Sequence, residues 1–376
     1  MLPRLATATL LPVLLWLLLG PPAAQAQLRV GQTAGLTGAV AASVNEATTG
    51  ARLYFDEINA RGGIGGKKIE LVSLDDRFDP KLAAENARQL LDQGVIALFL
   101  TRGTPHNEAI LPLLAEARVP LVGPSTGAML LHRPVNRWVF NVRATYQREA
   151  ERAVRHLMQF GVQRLAIVQV ADSFGEDAVA GALRGFEAGR KPVVHATYDR
   201  SKPDFSAIIP KLVSADAQAV LFIGSGTAVV DGMKALRAAG SAAQMVTLSN
   251  NASAGFVKAL GPIARGVIVS QVLPPEGALS MAIVRQASEL ALARGARAPQ
   301  LTPALLEGFA SAKVLVEGLK RAAAARDLTP TGLQRALETM GRIDIGGLEL
   351  GYSAANHTGL DYADLSIIDG QGRFKR

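Results

Sequence analysis

The chain has 376 residues, no cysteine, and 40 Lys and Arg against 32 Asp and Glu, a formal charge of +8. The missing cysteine rules out disulfides, thiolate nucleophiles and Cys-based zinc sites in one step. The cations are scattered and seldom interleaved with aromatics, so they form a solvated surface that mildly steers anions, and a nucleic-acid stripe is excluded.

The first 26 residues, MLPRLATATLLPVLLWLLLGPPAAQA, read as an export signal. One early cation (Arg4) precedes an apolar run, the Gly20-Pro21-Pro22 break follows, and Ala24-Gln25-Ala26 offers small residues to a signal peptidase. The apolar run is shorter than the roughly 20 residues a membrane span needs. Cleavage after Ala26 leaves residues 27–376, enough for two domains with their own cores. An exported chain without cysteine fits a bacterial periplasm.

The mature chain alternates strand and helix. Residues 28–35 (LRVGQTAG) read as a buried strand, 44–60 as a helix with Ala51, Phe55 and Ile58 on one face, and 68–74 as the next strand. Between them lies ARGGIGGKK, which resembles a phosphate loop in composition. Such a loop needs strand, glycines, then helix, so that amide N–H groups point at the anion. Here the glycines follow a helix, so Gly62-Gly63 reads as its left-handed C-terminal stop. The spacing fails as well: Arg61 and Lys68 stand where a glycine and a Ser or Thr are needed.

Asp79-Pro80 predicts an N-cap and first helical residue for a helix through about residue 92. Asp75 and Asp76 read as turn residues, since no His or further carboxylate stands at ligand spacing. Strands are then expected at 95–100 and 119–122, with a helix at 107–117 between them. A second series follows with strands at 164–170, 192–198, 219–223, 244–248 and 267–272. Its helices fall at 175–188, 204–213 and 229–239. Two βαβ series imply an α/β fold of two Rossmann-like lobes, each with a parallel sheet covered by helices. Helices at 280–292, 303–324 and 332–340 and a strand at 362–369 complete the chain.

One internal echo stands out. LFLTRGT at 98–104 and LFIGSGT at 221–227 share Leu-Phe-x-x-x-Gly-Thr, each where a strand gives way to a helix. Ligands in open α/β sheets lie beyond the carboxyl ends of strands, so two such ends facing each other would line a cleft.

Four stretches carry a family resemblance: GARLYFDEINARGGIGGKKIELVSLDDRFDP (50–80), VPLVGPSTGA (119–128), DSFGED (172–177) and DFSAIIPKL (204–212). In these the chain resembles the periplasmic solute-binding proteins of ABC importers, branched-chain amino-acid group, with the type I periplasmic binding fold. The resemblance implies two lobes joined by three hinge crossovers, placed near Arg143, Val272 and Gly346. One lobe is then 27–143 plus 273–345, the other 144–272 plus 346–376. It also implies a monomer that traps an amino acid or other small carboxylate by hinge closure and hands it to an ABC permease in the inner membrane. No cofactor, metal or nucleic acid is expected.

Carried over residue by residue, the resemblance implies ligand contacts at Gly103, Thr104 and His106, and at Ser125 and Thr126, which would hold a carboxylate. Phe174 and Gly175 would cover the ligand from the other lobe, together with Ser225, Gly226 and Asn250. Three positions depart from the family pattern. Ser43 and Gly226 stand where aromatics are usual, and Asn250 falls near the acidic residue that pairs with an α-ammonium. Asp172, Glu176 and Asp231 are the nearby carboxylates available to replace it. Loss of that pairing would favour a carboxylate without an amine and a roomier cleft.

An α/β enzyme is the rival class. The five histidines (His106, His132, His156, His195, His357) show no H-E-x-x-H or i,i+4 pairing, and Ser225 lacks the first glycine of a nucleophile elbow because Ile223 stands there. A ligand sensor presenting its closed form to a receptor would have the same sequence features as a transporter component.

Overall fold

The computed structural model describes residues 27–376; the expected signal segment, 1–26, lies outside them. β1 (Leu28–Ala34) is buried almost throughout, as a strand covered on both faces must be. It leads through a short 3-10 turn into α1 (Ala41–Ala60), which Gly62 and Gly63 end at positive φ, Gly63 donating to the Ile58 carbonyl. β2 (Ile69–Asp75) and α2 (Pro80–Asp92) follow, and Asp79 caps α2 by accepting from the Lys81 and Leu82 amides. β3 (Ala97–Phe99), α3 (Thr104–Ala117), β4 (Leu121–Val122) and β5 (Val139–Phe140) complete a five-stranded parallel sheet in the order β2-β1-β3-β4-β5.

The second lobe begins with α4 (Tyr146–Gln159), an element the sequence analysis left unassigned. Its signal is present: Ala150, Ala153, Val154 and Leu157 recur at helical spacing and are buried, while the charged face obscures them. Next come β6 (Leu165–Val170), α5 (Ser173–Arg184), β7 (His195–Tyr198), α6 (Ile209–Ser214), β8 (Ala219–Ile223) and α7 (Thr227–Ala238). β9 (Gln244–Thr247), α8 (Ala254–Leu260) and β10 (Ile268–Gln271) follow. α6 starts five residues later than expected because Pro210, which has no N–H, belongs in a first turn. Strands β7-β6-β8-β9-β10 run parallel and repeat the winding of the first sheet.

From β10 the chain returns to the first lobe for α9 (Ala282–Leu292), α10 (Pro303–Ala324) and α11 (Pro330–Glu338). It then forms an antiparallel hairpin, β11 (Gly341–Asp344) with β12 (Glu349–Tyr352). β13 (Asp364–Ile368) pairs antiparallel with β10, and β14 (Phe374–Lys375) extends that edge to seven strands.

The chain passes from one core to the other around Arg143 and Val272: Val142 and Val272 pack in the first core, Tyr146 and Val269 in the second. The third does not lie near Gly346. Ile345, Leu350, Tyr352 and Leu360 all pack in the first lobe's core, so the chain crosses only between Leu360 and Asp364. The hairpin decides this. The Tyr352 hydroxyl donates to the buried Asn141 carbonyl, tying β12 to the first lobe.

Candidate functional site

In a sheet wound this way the crevice opens where connections leave the central strands toward opposite faces. Those points lie beyond β1 and β3 in one lobe and beyond β6 and β8 in the other. The two echo segments occupy these positions, and the lobes meet across them. Gly103 and Gly226 precede α3 and α7 at φ of +96° and +57°, a conformation that only glycine adopts freely. Gly226 also lies so close to the facing lobe that a Cβ would sit 1.8 Å from the Ala39 carbonyl oxygen.

The central residue is Arg102, which sequence analysis passed over inside LFLTRGT. Its side chain is 4% exposed and bridges the lobes. One terminal nitrogen donates to Ser125 Oγ (3.0 Å) and to the Ser125 carbonyl (3.5 Å). The other donates to Ser43 Oγ (3.4 Å) and to the Asn250 carbonyl (2.7 Å). All four acceptors are neutral, and no carboxylate among the described residues pairs with it. Burial lowers the Arg102 pKa from the usual arginine value, with Tyr146 and Glu307 opposing and Arg143 and Arg200 reinforcing. A buried cation without a counter-ion is costly, and an anion at that position relieves the cost.

Of the expected site residues, Ser125 and Asn250 touch Arg102 directly. Thr104 and Thr126 share a hydroxyl–hydroxyl hydrogen bond of 3.1 Å and are buried. Asn250 donates through Nδ2 to the Gly224 carbonyl and to Ser225 Oγ, which fixes its amide and leaves Oδ1 buried without a donor. His106 is buried with neither ring nitrogen hydrogen-bonded; its ring stacks on Phe78 at 4.5 Å. Burial pushes its pKa down to about 4, and the charge on Arg200 adds to that, so it is neutral at pH 7. Phe174 packs in the second lobe's core against Tyr146, ring centroids 4.6 Å apart. Gly175 is required by packing, since a Cβ there would lie 1.9 Å from the Val170 carbonyl oxygen.

The structure also shows what the nearby carboxylates do. Asp172 caps α5, accepting from the Phe174 and Gly175 amides, and pairs with Arg200 at 2.5 Å. The Arg200 guanidinium lies over Phe78 at 4.8 Å, completing a His106–Phe78–Arg200–Asp172 wall that spans both lobes. Asp172 is therefore committed, and Glu176 and Asp231 are exposed on their helices. Asp75 holds the turn after β1, accepting from the Leu36, Thr37 and Arg77 amides and the Thr37 hydroxyl. No group of three potential metal ligands occurs among the described residues.

Two further contacts tie the lobes. At the hinge, the buried Arg143 pairs with Glu149 of α4 (2.5 Å) and more loosely with Glu307 of α10 (3.4 Å), and it donates to Ser249 Oγ. Glu149 in turn accepts from the Ser249 amide and the Ser270 hydroxyl. At the cleft mouth, Glu46 of α1 accepts from the Ala254 and Gly255 amides and from the Thr302 hydroxyl. Replacing Glu46 by Ala removes three acceptor contacts, and a charge-assisted bond contributes about 1.5–3 kcal/mol. We expect the Ala254 and Gly255 amides of the variant to exchange with deuterium at least about tenfold faster. Wild-type protection in that variant would show that the contact does not hold the lobes.

Comparisons with known proteins agree with this geometry. A family described as periplasmic binding protein matches residues 27–370. A Leu/Ile/Val-binding protein of Rhizobium johnstonii is 32% identical over 212 residues, covering 54% of this chain and about half (56%) of its own length. Among solved structures, a substrate-binding periplasmic protein from Ralstonia solanacearum is 30% identical with a TM-score of 0.86, covering 93% of this chain and 99% of its own. An extracellular ligand-binding receptor from Verminephrobacter eiseniae is 29% identical with a TM-score of 0.82, covering 93% of this chain and 100% of its own. The family match over nearly the whole described chain and the high TM-scores place the chain in the periplasmic binding protein family, in the type I, branched-chain amino-acid group.

Proposed function

We propose that the chain is the extracytoplasmic solute-binding component of an ABC importer, and that its cargo is a small organic carboxylate gripped between the lobes by Arg102. The observation that carries this reading is the buried guanidinium bridging both lobes with only neutral oxygens as partners. A ligand carboxylate would replace some of those acceptors and supply the missing charge in charge-assisted bonds. Ser43, Ser125, Thr104 and Thr126 would donate or accept around it. Because the groove takes residues from both lobes, only the closed form makes all the contacts, and closure then gives the ligand its differential affinity. Binding proceeds without chemistry, and opening returns the solute unaltered to the permease in the inner membrane.

Relatives named for Leu, Ile and Val imply an amino-acid cargo, but the carboxylates of the wall and of the hinge are already held by arginines. Asp172 is held by Arg200, and Glu149 and Glu307 are held by Arg143. The unpaired Oδ1 of Asn250 is a neutral acceptor and suits a hydroxyl better than a cation. Calorimetric titration with pentanoate, 2-hydroxypentanoate and norvaline tests this directly. Both acids are expected to bind at least about tenfold tighter than norvaline, the margin of one lost charge-assisted bond. Tightest binding of norvaline would overturn the carboxylate reading.

A further inference from the structure

Beside Ser43 the two lobes flank a narrow, half-open cleft of about 60 Å³. Its apolar walls come from Ala39, Val40 and Ala42 of the first lobe and Val230, Phe256 and Ala259 of the second. Ser43 lines this space and also lies on Arg102, its Oγ 3.4 Å from the guanidinium. We propose that the cleft is the subsite for the cargo's apolar end, so that the carboxylate carries a short, slender, unbranched chain. This rests on the carboxylate reading above and specifies its other half.

Three observations support it. First, no charged residue lines the cleft, and of its polar members Ser43, Asn251 and Ser253 are already engaged. Asn251 Oδ1 accepts from the Gly226 amide, its Nδ2 donates to the Gly224 carbonyl and Thr247 Oγ1, and Ser253 Oγ accepts from the Phe256 amide. Thr227, the remaining polar member, is exposed. Second, the walls cannot separate without moving the lobes: Gly226 meets Ala39, and a Cβ on Gly255 would lie 2.3 Å from Ala42 Cβ. Third, the volume is well under the roughly 150 Å³ of a cavity that encloses benzene, which favours a chain of a few methylenes over a ring. Because both lobes line the space, a chain filling it also draws them together.

The test is a chain-length series by calorimetry, from acetate to octanoate with benzoate alongside, on wild type, Val230→Phe and Phe256→Leu, each first checked for an unchanged melting transition. In the wild type, each methylene should tighten binding about fourfold until roughly three are enclosed, after which affinity levels off. Val230→Phe fills the cleft, so the pentanoate-to-acetate affinity ratio should fall at least about tenfold. Phe256→Leu enlarges it and should move the plateau to longer acids. A ratio unchanged in both variants, or benzoate binding tighter than pentanoate, overturns the tail subsite while Arg102-dependent binding survives. If no acid of the series binds the wild type, both readings fall together.

Discussion

Arg102→Met should weaken binding of pentanoate by roughly 10- to 100-fold while leaving the ligand-free protein at least as stable as wild type. The first half follows from losing a charge-assisted pair worth about 1.5–3 kcal/mol. The second half separates a binding residue from a structural one. In the folded protein this guanidinium is buried against four neutral oxygens, and an apolar side chain of similar length removes a desolvated charge. Calorimetry gives the affinity and denaturant melts give the stability. A variant that binds as well as wild type, or one that unfolds with no change in affinity while folded, would show that Arg102 serves only to join the lobes. Arg102→Lys should recover only part of the affinity, because an ammonium cannot reproduce the two-pronged guanidinium geometry.

The opposite pattern is expected at the hinge. Arg143→Met leaves Glu149 and Glu307 buried with no counter-charge, and breaking a buried ion pair by removing one partner costs about 3–5 kcal/mol. The loss should show as an earlier unfolding transition in denaturant, with the second lobe affected most, because Glu149 joins α4 to the Ser249 and Ser270 ends of β9 and β10. Glu149→Gln should be milder, since the amide oxygen can still accept from Ser249 and Ser270. A stability for Arg143→Met within about 1 kcal/mol of wild type would show that the network is not holding the crossing, because that is the range of exposed ion pairs. The two arginines thus differ in kind: Arg143 has charged partners inside the protein, and Arg102 has none.

Much of the architecture was legible in the residues. Alternating apolar runs and helical faces gave two parallel-sheet series, and the Asp79-Pro80 cap and the Gly62-Gly63 stop fell where local chemistry put them. The glycine-lysine stretch was correctly separated from a phosphate loop by element order alone. Misses have local causes. The charged face of α4 masks its buried stripe, and Gly346, a residue at positive φ in a hairpin turn, has the same local signature as a crossing. A hairpin that folds back onto the first lobe cannot be told from a crossover by composition, because both read as turn residues between short strands.

Sequence by itself determined the fold class, the alternation of strand and helix in the two series and the placement of the two echo loops, since each depends on periodicity, capping and turn chemistry within a few residues. Only tertiary structure decided which charges were free. Arg102, Arg143 and Arg200 are alike along the chain, and Asp172 and Glu149 were equally available as partners until packing set Asp172 on Arg200 and Glu149 on Arg143. What a buried charge needs depends on what lies within a few ångströms of it, and some of those neighbours lie far along the chain, such as Asn250 on Arg102.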